Sequence, residues 1–280
     1  MIISVRETTV ADIPFGMRLK EQAGWNQVEA DWKRLLDLEP QGCFVAEIQS
    51  VPVGTVTSCR FGDVAWIALM LVDPDHRRRG VGRTLMSRAL EWLDFRRIRS
   101  VRLDATPLGR PLYESLGFQA EGTLVRYQGV LTAGAPATEL GNVSAADVFD
   151  GVAELDRAVT GADRARFLRT LSREHPESFQ VARERGRVIG FIMARPGAYA
   201  RQIGPCIGDD EAGPRLLEDA RRRYAGETVI VDIPQEHTRA RRLVESWGLA
   251  PARELLRMGY GPRVQEDLDR LWASAGAEKG

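Results

Sequence analysis

Val72-Asp73-Pro74-Asp75-His76-Arg77-Arg78-Arg79-Gly80-Val81-Gly82-Arg83-Thr84-Leu85-Met86 reads as the end of a strand, a tight basic turn and the first turn of a long helix. Ahead of it, Ile67-Ala68-Leu69-Met70-Leu71-Val72 is a continuous apolar run, as expected of a strand buried on both faces. From Val81 onward, apolar residues recur at Leu85, Met86, Ala89, Leu90 and Leu93, which is helical spacing. Gly80 and Gly82 therefore stand where the chain enters the helix, with no side chain to keep an anion from the backbone. The first N–H groups of a helix have no partner inside it, and the positive end of the dipole adds to them. Three readings fit this stretch: a phosphate cradle, an ordinary turn with solvated arginines, or a basic patch for nucleic acid. The Gly-x-Gly-x-x-Gly spacing of a dinucleotide site is absent, and so is the Gly-Lys-Ser/Thr end of a P-loop.

A second element lies about 30 residues downstream. Val101-Arg102-Leu103-Asp104-Ala105 reads as a strand, followed by a short helix over Pro107 to Leu116, a glycine stop at Gly117 and Phe118 opening another strand. The first element, Arg77-Arg78-Arg79-Gly80-Val81-Gly82, resembles the Arg/Gln-x-x-Gly-x-Gly/Ala pyrophosphate loop of the GCN5-related N-acetyltransferases (GNAT superfamily). The second resembles the same family's helix ending in Tyr-x-x-x-Gly-Phe, here Tyr113 to Phe118. The family often has Asn seven residues before that tyrosine and Ala four before it. This chain has Thr106 and Gly109, which leaves a helix cap in place and the asparagine's cofactor contact in doubt.

The chain is long enough, at 280 residues, for two domains, and an internal repeat says that it has them. Pro40–Glu47 aligns with Pro176–Arg183 at an offset of 136, as do Gly54 with Gly190 and the helix Asp31–Leu36 with Phe167–Ser172. Further on, Leu85-Met86 with Leu216-Leu217, Tyr113–Phe118 with Val244–Leu249, and Arg126 with Arg257 share an offset of 131. Five residues are thus missing from the second copy's phosphate loop, which has become Gly208-Asp209-Asp210-Glu211-Ala212-Gly213-Pro214-Arg215. Gly-x-Gly is gone and three carboxylates stand where a pyrophosphate would, an arrangement that repels it. Val244, which carries no proton to donate, stands in place of Tyr113. The expected organisation is therefore an α/β fold of the α+β mixed-sheet kind in two tandem copies. Residues 1–131 form a catalytic domain, 132–140 a linker and 141–280 a degenerate, non-catalytic domain with a frayed end after Gly276.

Within the first copy, strands are expected at Ile2–Glu7, Cys43–Ile48, Val53–Arg60 and Val64–Val72, with two more closing strands after the Tyr113 helix. Thr9 with Asp12 reads as a capping box for a first helix, and Asn26 with Glu29 as the cap of a second. Lys+Arg and Asp+Glu both number 39, a balance that argues against nucleic acid or an anionic membrane as the main partner. No apolar run reaches the roughly 18–20 residues of a membrane span, and the opening residues lack a signal peptide's apolar core, so a cytoplasmic location is expected. Cys43, Cys59 and Cys206 are expected as buried free thiols, and the isolated His76, His175 and His237 give no metal-ligand spacing.

The resemblance implies acetyl-CoA as co-substrate, no metal, and an amine acceptor, most simply a small molecule. It implies that the backbone and side chains of Arg77, Arg78, Arg79, Gly80, Val81, Gly82, Arg83 and Thr84 hold the pyrophosphate. It places the pantetheine arm beside Leu71 and Val72, with a backbone N–H at Leu71 polarising the thioester and Thr106 near the cofactor. Tyr113 becomes the general acid, because a phenol with a pKa of roughly 10 keeps its proton at neutral pH. Among Glu21, Glu47 and Asp63 nothing selects a base. Trp25 and Asn26 are expected to border the acceptor, and Tyr199, Arg201 and Gln202 to wall it from the second copy. A non-catalytic acyl-CoA-binding module, another acyl donor, or a protein amine as acceptor are the alternatives; oligomeric state is open.

Overall fold

The computed structural model describes residues 2–134, 145–277 and 280. Most of the expected linker, from residue 135, lies outside the described residues. The first copy runs β1 (Ile3–Glu7), α1 (Ile13–Gln22), α2 (Glu29–Leu38), β2 (Cys43–Ile48), β3 (Val51–Phe61), β4 (Val64–Val72), α3 (Val81–Phe95), β5 (Ser100–Ala105), α4 (Arg110–Glu114) and β6 (Gln119–Val130). The second runs α5 (Ala145–Thr160), α6 (Ala165–Glu174), β7 (Gln180–Glu184), β8 (Arg187–Arg195), β9 (Arg201–Gly208), α7 (Ala212–Arg223), β10 (Thr228–Pro234), α8 (Thr238–Ser246), β11 (Ala250–Tyr260) and β12 (Leu271–Ala273). Helices α2 and α6 keep the offset of 136 and the starts of α3 and α7 the offset of 131, so the deletion falls between β9 and α7. No helix among the described residues is long and apolar enough to cross a membrane.

Local chemistry accounts for the helix starts. Asp12 accepts the Thr9 N–H at 2.8 Å, as the capping box requires, and is held on its other side by the Arg6 guanidinium at 2.7 Å. The start of α2 differs from expectation. Asp31, three residues in, accepts the Val28 N–H at 3.0 Å, so Val28 and not Asn26 is the capping position. The Tyr113 helix is shorter than its spacing suggests, because Thr106 to Gly109 form a turn before it. Gly117, at φ +92°, ends it as a left-handed stop. Cys43, Cys59 and Cys206 are free and buried.

The closing strands differ most from expectation. The first copy ends in one long strand, β6, not two, and β6 is exchanged with the second copy's long strand, β11. The sheet order is β1-β2-β3-β4-β5-β11-β6-β10-β9-β8-β7, so β11 of the second copy lies antiparallel between β5 and β6 of the first. Conversely, β6 of the first copy pairs with β10 of the second.

Two buried ion pairs fasten this exchange at related positions. Arg257 on β11 reaches Asp104 on β5 at 2.9 Å, and Arg126 on β6 reaches Asp232 on β10 at 2.6 Å. All four side chains are almost fully buried. Beneath the sheet one apolar cluster joins Trp32, Leu35 and Phe61 to Phe149, Phe167 and Leu171 of the second copy. Asp31, Arg34 and Arg195 form a further buried cluster across the same boundary, with Arg34–Asp31 at 2.7 Å and Arg195–Asp31 at 3.0 Å. The repeat is tandem in sequence, but the two copies share a sheet and a core.

Removing one partner of a buried pair strands the other charge, a loss of about 3–5 kcal/mol, whereas an exposed pair contributes at most about 1. Arg257→Ala is therefore expected to lower unfolding free energy by about 3–5 kcal/mol in urea titration. Arg110→Ala, whose pair with Glu114 is half exposed, is expected to change it by less than about 0.5 kcal/mol.

Candidate active site

Strands β4 and β5 are parallel and pair only from Val64–Ser100 to Trp66–Arg102; beyond Trp66 they diverge. A bulge in β4 opposite Thr55–Thr57, with Leu69 at φ +46°, adds to the separation. Thr55 and Thr57 donate their hydroxyls to the Leu69 and Ala68 carbonyls at 2.9 and 3.0 Å, fixing the bulged backbone. The resulting cleft is lined by Trp25, Gln27, Met70, Thr106 and Tyr113, among others. From the second copy come Arg253 and Leu255 on β11, and Ala277.

The turn into α3 packs against the cleft residue Met70 through Gly82. Arg78 (φ +58°) and Gly80 (φ +88°) bring the chain round in left-handed conformations, and Gly80 is the residue immediately before the helix. Thr84 returns both its N–H and its hydroxyl to the Gly80 carbonyl, at 3.0 and 3.1 Å. The N–H groups of Val81, Gly82 and Arg83 have no carbonyl to bond within the helix, since they form its first turn. Gly82 packs closely: a Cβ there would lie 3.1 Å from Leu112 and 3.3 Å from Met70. Arg77, Arg78, Arg79 and Arg83 are exposed around this turn, with Arg83 bonded to the Ser115 hydroxyl at 2.8 Å. Free N–H groups, a helix dipole and four guanidinium groups make a site for a polyanion.

The peptide groups along β4 correct one expectation. Asp73 donates its N–H to Val53 at 2.9 Å, and Leu71 lies opposite Thr55, one hydrogen-bonded pair along the same ladder. Leu71 therefore turns its N–H toward β3, away from the cleft. Val72, between those two in the ladder, is turned the other way, and its carbonyl accepts from Arg77 Nε at 3.2 Å.

Tyr113 lies at the head of the cleft, 8% exposed, and its hydroxyl has no hydrogen-bond partner among the described residues. Burial pushes the phenol up to about 12, so it holds its proton at neutral pH. Gly109 explains the departure from alanine at that position. A Cβ there would stand 2.8 Å from the Tyr113 ring, so the glycine lets the ring fold against the start of its own helix. Thr106 lines the cleft, and its hydroxyl accepts the Gly109 N–H at 3.4 Å within the turn before α4; the helix's N-cap is Gly109, so Thr106 does not cap it as expected.

On the acceptor side the two expected residues part company. Trp25 lines the cleft, half-buried. Asn26 does not: its Oδ1 accepts the Tyr199 and Ala200 N–H groups at 3.1 Å, and its Nδ2 donates to the Ala200 carbonyl at 2.8 Å. All its side-chain polar atoms are spent on the second copy, so it clasps the two copies together. Of the three residues expected to wall the cleft, Arg201 pairs with Glu227 and Gln202 with Asp232, leaving Tyr199 beside Gly24. Gln27, Met70, Asp104, Arg253, Leu255 and Ala277 line the cleft without having been singled out in the sequence. Gln27 is buried, and its Oε1 has no hydrogen-bond partner among the described residues. Glu47 is paired with Arg6, and neither it, Glu21 nor Asp63 lines the cleft. Its one lining carboxylate, Asp104, is held on both oxygens by Arg257.

The related gap in the second copy has another content. Strands β9 and β10 pair only from Arg201–Val229 to Ile203–Val231. Beyond that point β12 lies on β9, Leu271 opposite Ile207 and Ala273 opposite Cys206, while Ser274 donates its N–H to Asp232 of β10 at 2.8 Å. At the start of α7 the Asp209 carboxylate accepts the Glu211 and Ala212 N–H groups at 3.1 and 2.8 Å, taking the place an external anion would need. Trp272 covers Gly213 in the first turn of that helix. Val244 is fully buried.

A model of the acetyltransferase (GNAT) family matches residues 13–118, and one of an acetyltransferase (GNAT) domain matches residues 152–273. The chain is 30% identical over 250 residues to the uncharacterized N-acetyltransferase YitH of Bacillus subtilis, covering 85% of this chain and 83% of that one. In fold it is similar to a Pyrococcus horikoshii crystal structure described as an acetyltransferase, with a TM-score of 0.83, 24% identity and coverage of 99% of this chain and 96% of that one. It is also similar to a tandem GNAT protein from the clavulanic acid biosynthesis pathway, with a TM-score of 0.65, 14% identity and coverage of 94% and 100%. With both copies matched by family models and a relative aligned along most of its length, the chain belongs to the GCN5-related N-acetyltransferase superfamily, in tandem form.

Proposed function

We propose that the first copy transfers an acetyl group from acetyl-CoA directly to the amine of a small molecule, in a ternary complex, and that the second copy is non-catalytic. The observation that carries this reading is the contrast between the gaps. In the first copy the cleft holds the unpartnered Tyr113 hydroxyl and is bordered by Met70, against which Gly82 of the anion-site turn packs. In the second, a strand, a carboxylate and a buried valine occupy the corresponding positions. Acetyl-CoA is the ligand this reading puts there, and the second copy's related gap admits an extended chain, β12, of about the breadth of a pantetheine arm.

The thioester supplies the acetyl group and a thiolate leaving group. The turn from Arg77 to Thr84 holds the pyrophosphate through backbone N–H groups and guanidinium charge. A peptide N–H of β4 facing the cleft, at Met70 or Val72, polarises the carbonyl, and the bulge fixes its direction before substrate arrives. The amine nitrogen attacks the carbonyl carbon, the carbon–sulfur bond breaks, and Tyr113 gives its phenolic proton to the departing sulfur. The proton lost by the amine leaves to water through the open side of the cleft.

Tyr113→Phe is expected to keep acetyl-CoA affinity within about twofold and to lower kcat about tenfold or more, measured as CoA thiol release with primary amines. Unchanged turnover would assign the proton to another donor; acetyl-CoA binding without turnover in the unmodified protein would favour a binding module.

A pH profile follows from the burial of Tyr113. With its pKa raised to about 12, the phenol stays protonated through the range in which an amine substrate loses its own proton. Turnover is expected to rise with pH as the amine is deprotonated, with no fall near pH 10, where an unperturbed phenol ionises. A descending limb near pH 10 that Tyr113→Phe abolishes would contradict this assignment.

A further inference from the structure

The segment that closes the second copy's gap continues into the first copy's cleft. After Ala273 the chain passes Ser274, bonded to β10, and Ala275, whose N–H donates to the Gly280 carbonyl at 2.9 Å. Gly280 in turn donates to Gly276 at 3.1 Å, closing a turn around Ala277. Trp66, on the paired part of β4, donates its indole N–H to the Ala277 carbonyl at 3.3 Å. Ala277 then lines the cleft opposite Trp25 and Gln27. The expected fraying after Gly276 does not extend to Ala277 or Gly280, both of which are bonded.

The mooring is much firmer than a wall alone requires. Trp272 is 1% exposed, donates to the Gly208 carbonyl at 3.1 Å, and packs on His237 at 4.4 Å between ring centres. Arg239 stands 5.7 Å over the same indole. A segment ordered this far by buried contacts presents Ala277 at a fixed depth, with its entropy of ordering already spent in folding.

We propose that residues 271–277 are the acceptor-specificity element: β12 anchors the segment in the second copy's filled gap, and Ala277 limits the first copy's open one to compact primary amines. The second copy thus acts on specificity through its lost cofactor site. A small residue at 277 leaves room for the acceptor, Trp25 and Leu255 offer it apolar walls, and Gln27 brings a buried amide oxygen lacking a donor, which an amine N–H can supply. The inference rests on the acyl transfer proposed above but is tested apart from it, because amine binding can be read without turnover.

The test compares the full chain, Ala277→Trp and a chain ended after Ala273, using benzylamine, tyramine and tryptamine as probes. Amine affinity is read by calorimetry on the CoA complex, and turnover by thiol release. Ala277→Trp is expected to weaken amine binding tenfold or more, most for tryptamine, with acetyl-CoA affinity and melting temperature unchanged. The shortened chain is expected to shift preference toward tryptamine by tenfold or more. Equal amine affinities across all three proteins would overturn the proposal, and so would a full chain that binds none of the probes. Altered amine binding with no turnover in any of them would leave the proposal standing and reject acyl transfer.

Discussion

Strand β11 holds the molecule together, and the constraint on it is electrostatic as well as geometric. A strand inserted between β5 and β6 places two rows of backbone bonds and the Arg257–Asp104 pair inside the sheet, while β6 makes the related Arg126–Asp232 pair with β10. Each arginine lies on one copy and its aspartate on the other. The pairs stand at related positions, so each aspartate meets the equivalent arginine of the other copy, and breaking either pair would strand a buried charge at several kcal/mol. The exchange fixes which copy supplies each aspartate. It also explains why Arg253 and Leu255 of the second copy border a cleft that otherwise belongs to the first.

The same exchange has unequal consequences at the two ends of the sheet. Both copies have a pair of parallel strands that diverge after three residue pairs, so both generate a gap. In the first, the longer turn between β4 and α3 carries left-handed Arg78 and Gly80, exposing unbonded N–H groups. In the second, a turn five residues shorter draws Asp209 onto the helix start, and β12 fills the gap. An internal carboxylate and an internal strand stand where an external phosphate and pantetheine arm would bind. On the proposed reading, the second copy has kept the shape of a cofactor site and turned it into a point of attachment.

Much of this was legible in the sequence, for reasons that are local. The turn at Arg77–Thr84, the stop at Gly117, the paired offsets of 136 and 131 and the start of α3 are set by residues close together in the chain, and the structure has them as expected. Non-local pairing was not legible. Asn26 has the residue type of a helix cap, but its side chain is taken by backbone groups about 174 residues away. The direction of the Leu71 N–H depends on a bulge opposite Thr55–Thr57, which periodicity does not reveal. The exchange of β6 and β11 brings charges to partners that lie 106 and 153 residues off. Arg126 and Arg257 did stand out as a repeated pair, but nothing in the chain said that each would find its aspartate in the other copy.

The claim on which the account turns is that this doubled fold has one open cofactor gap and one filled by its own chain. Titration of the full chain with acetyl-CoA, by calorimetry or equilibrium dialysis, tests it directly. The account predicts saturation at one equivalent per chain. Saturation at two equivalents would mean that β12 and Asp209 give way to the cofactor, and would contradict it.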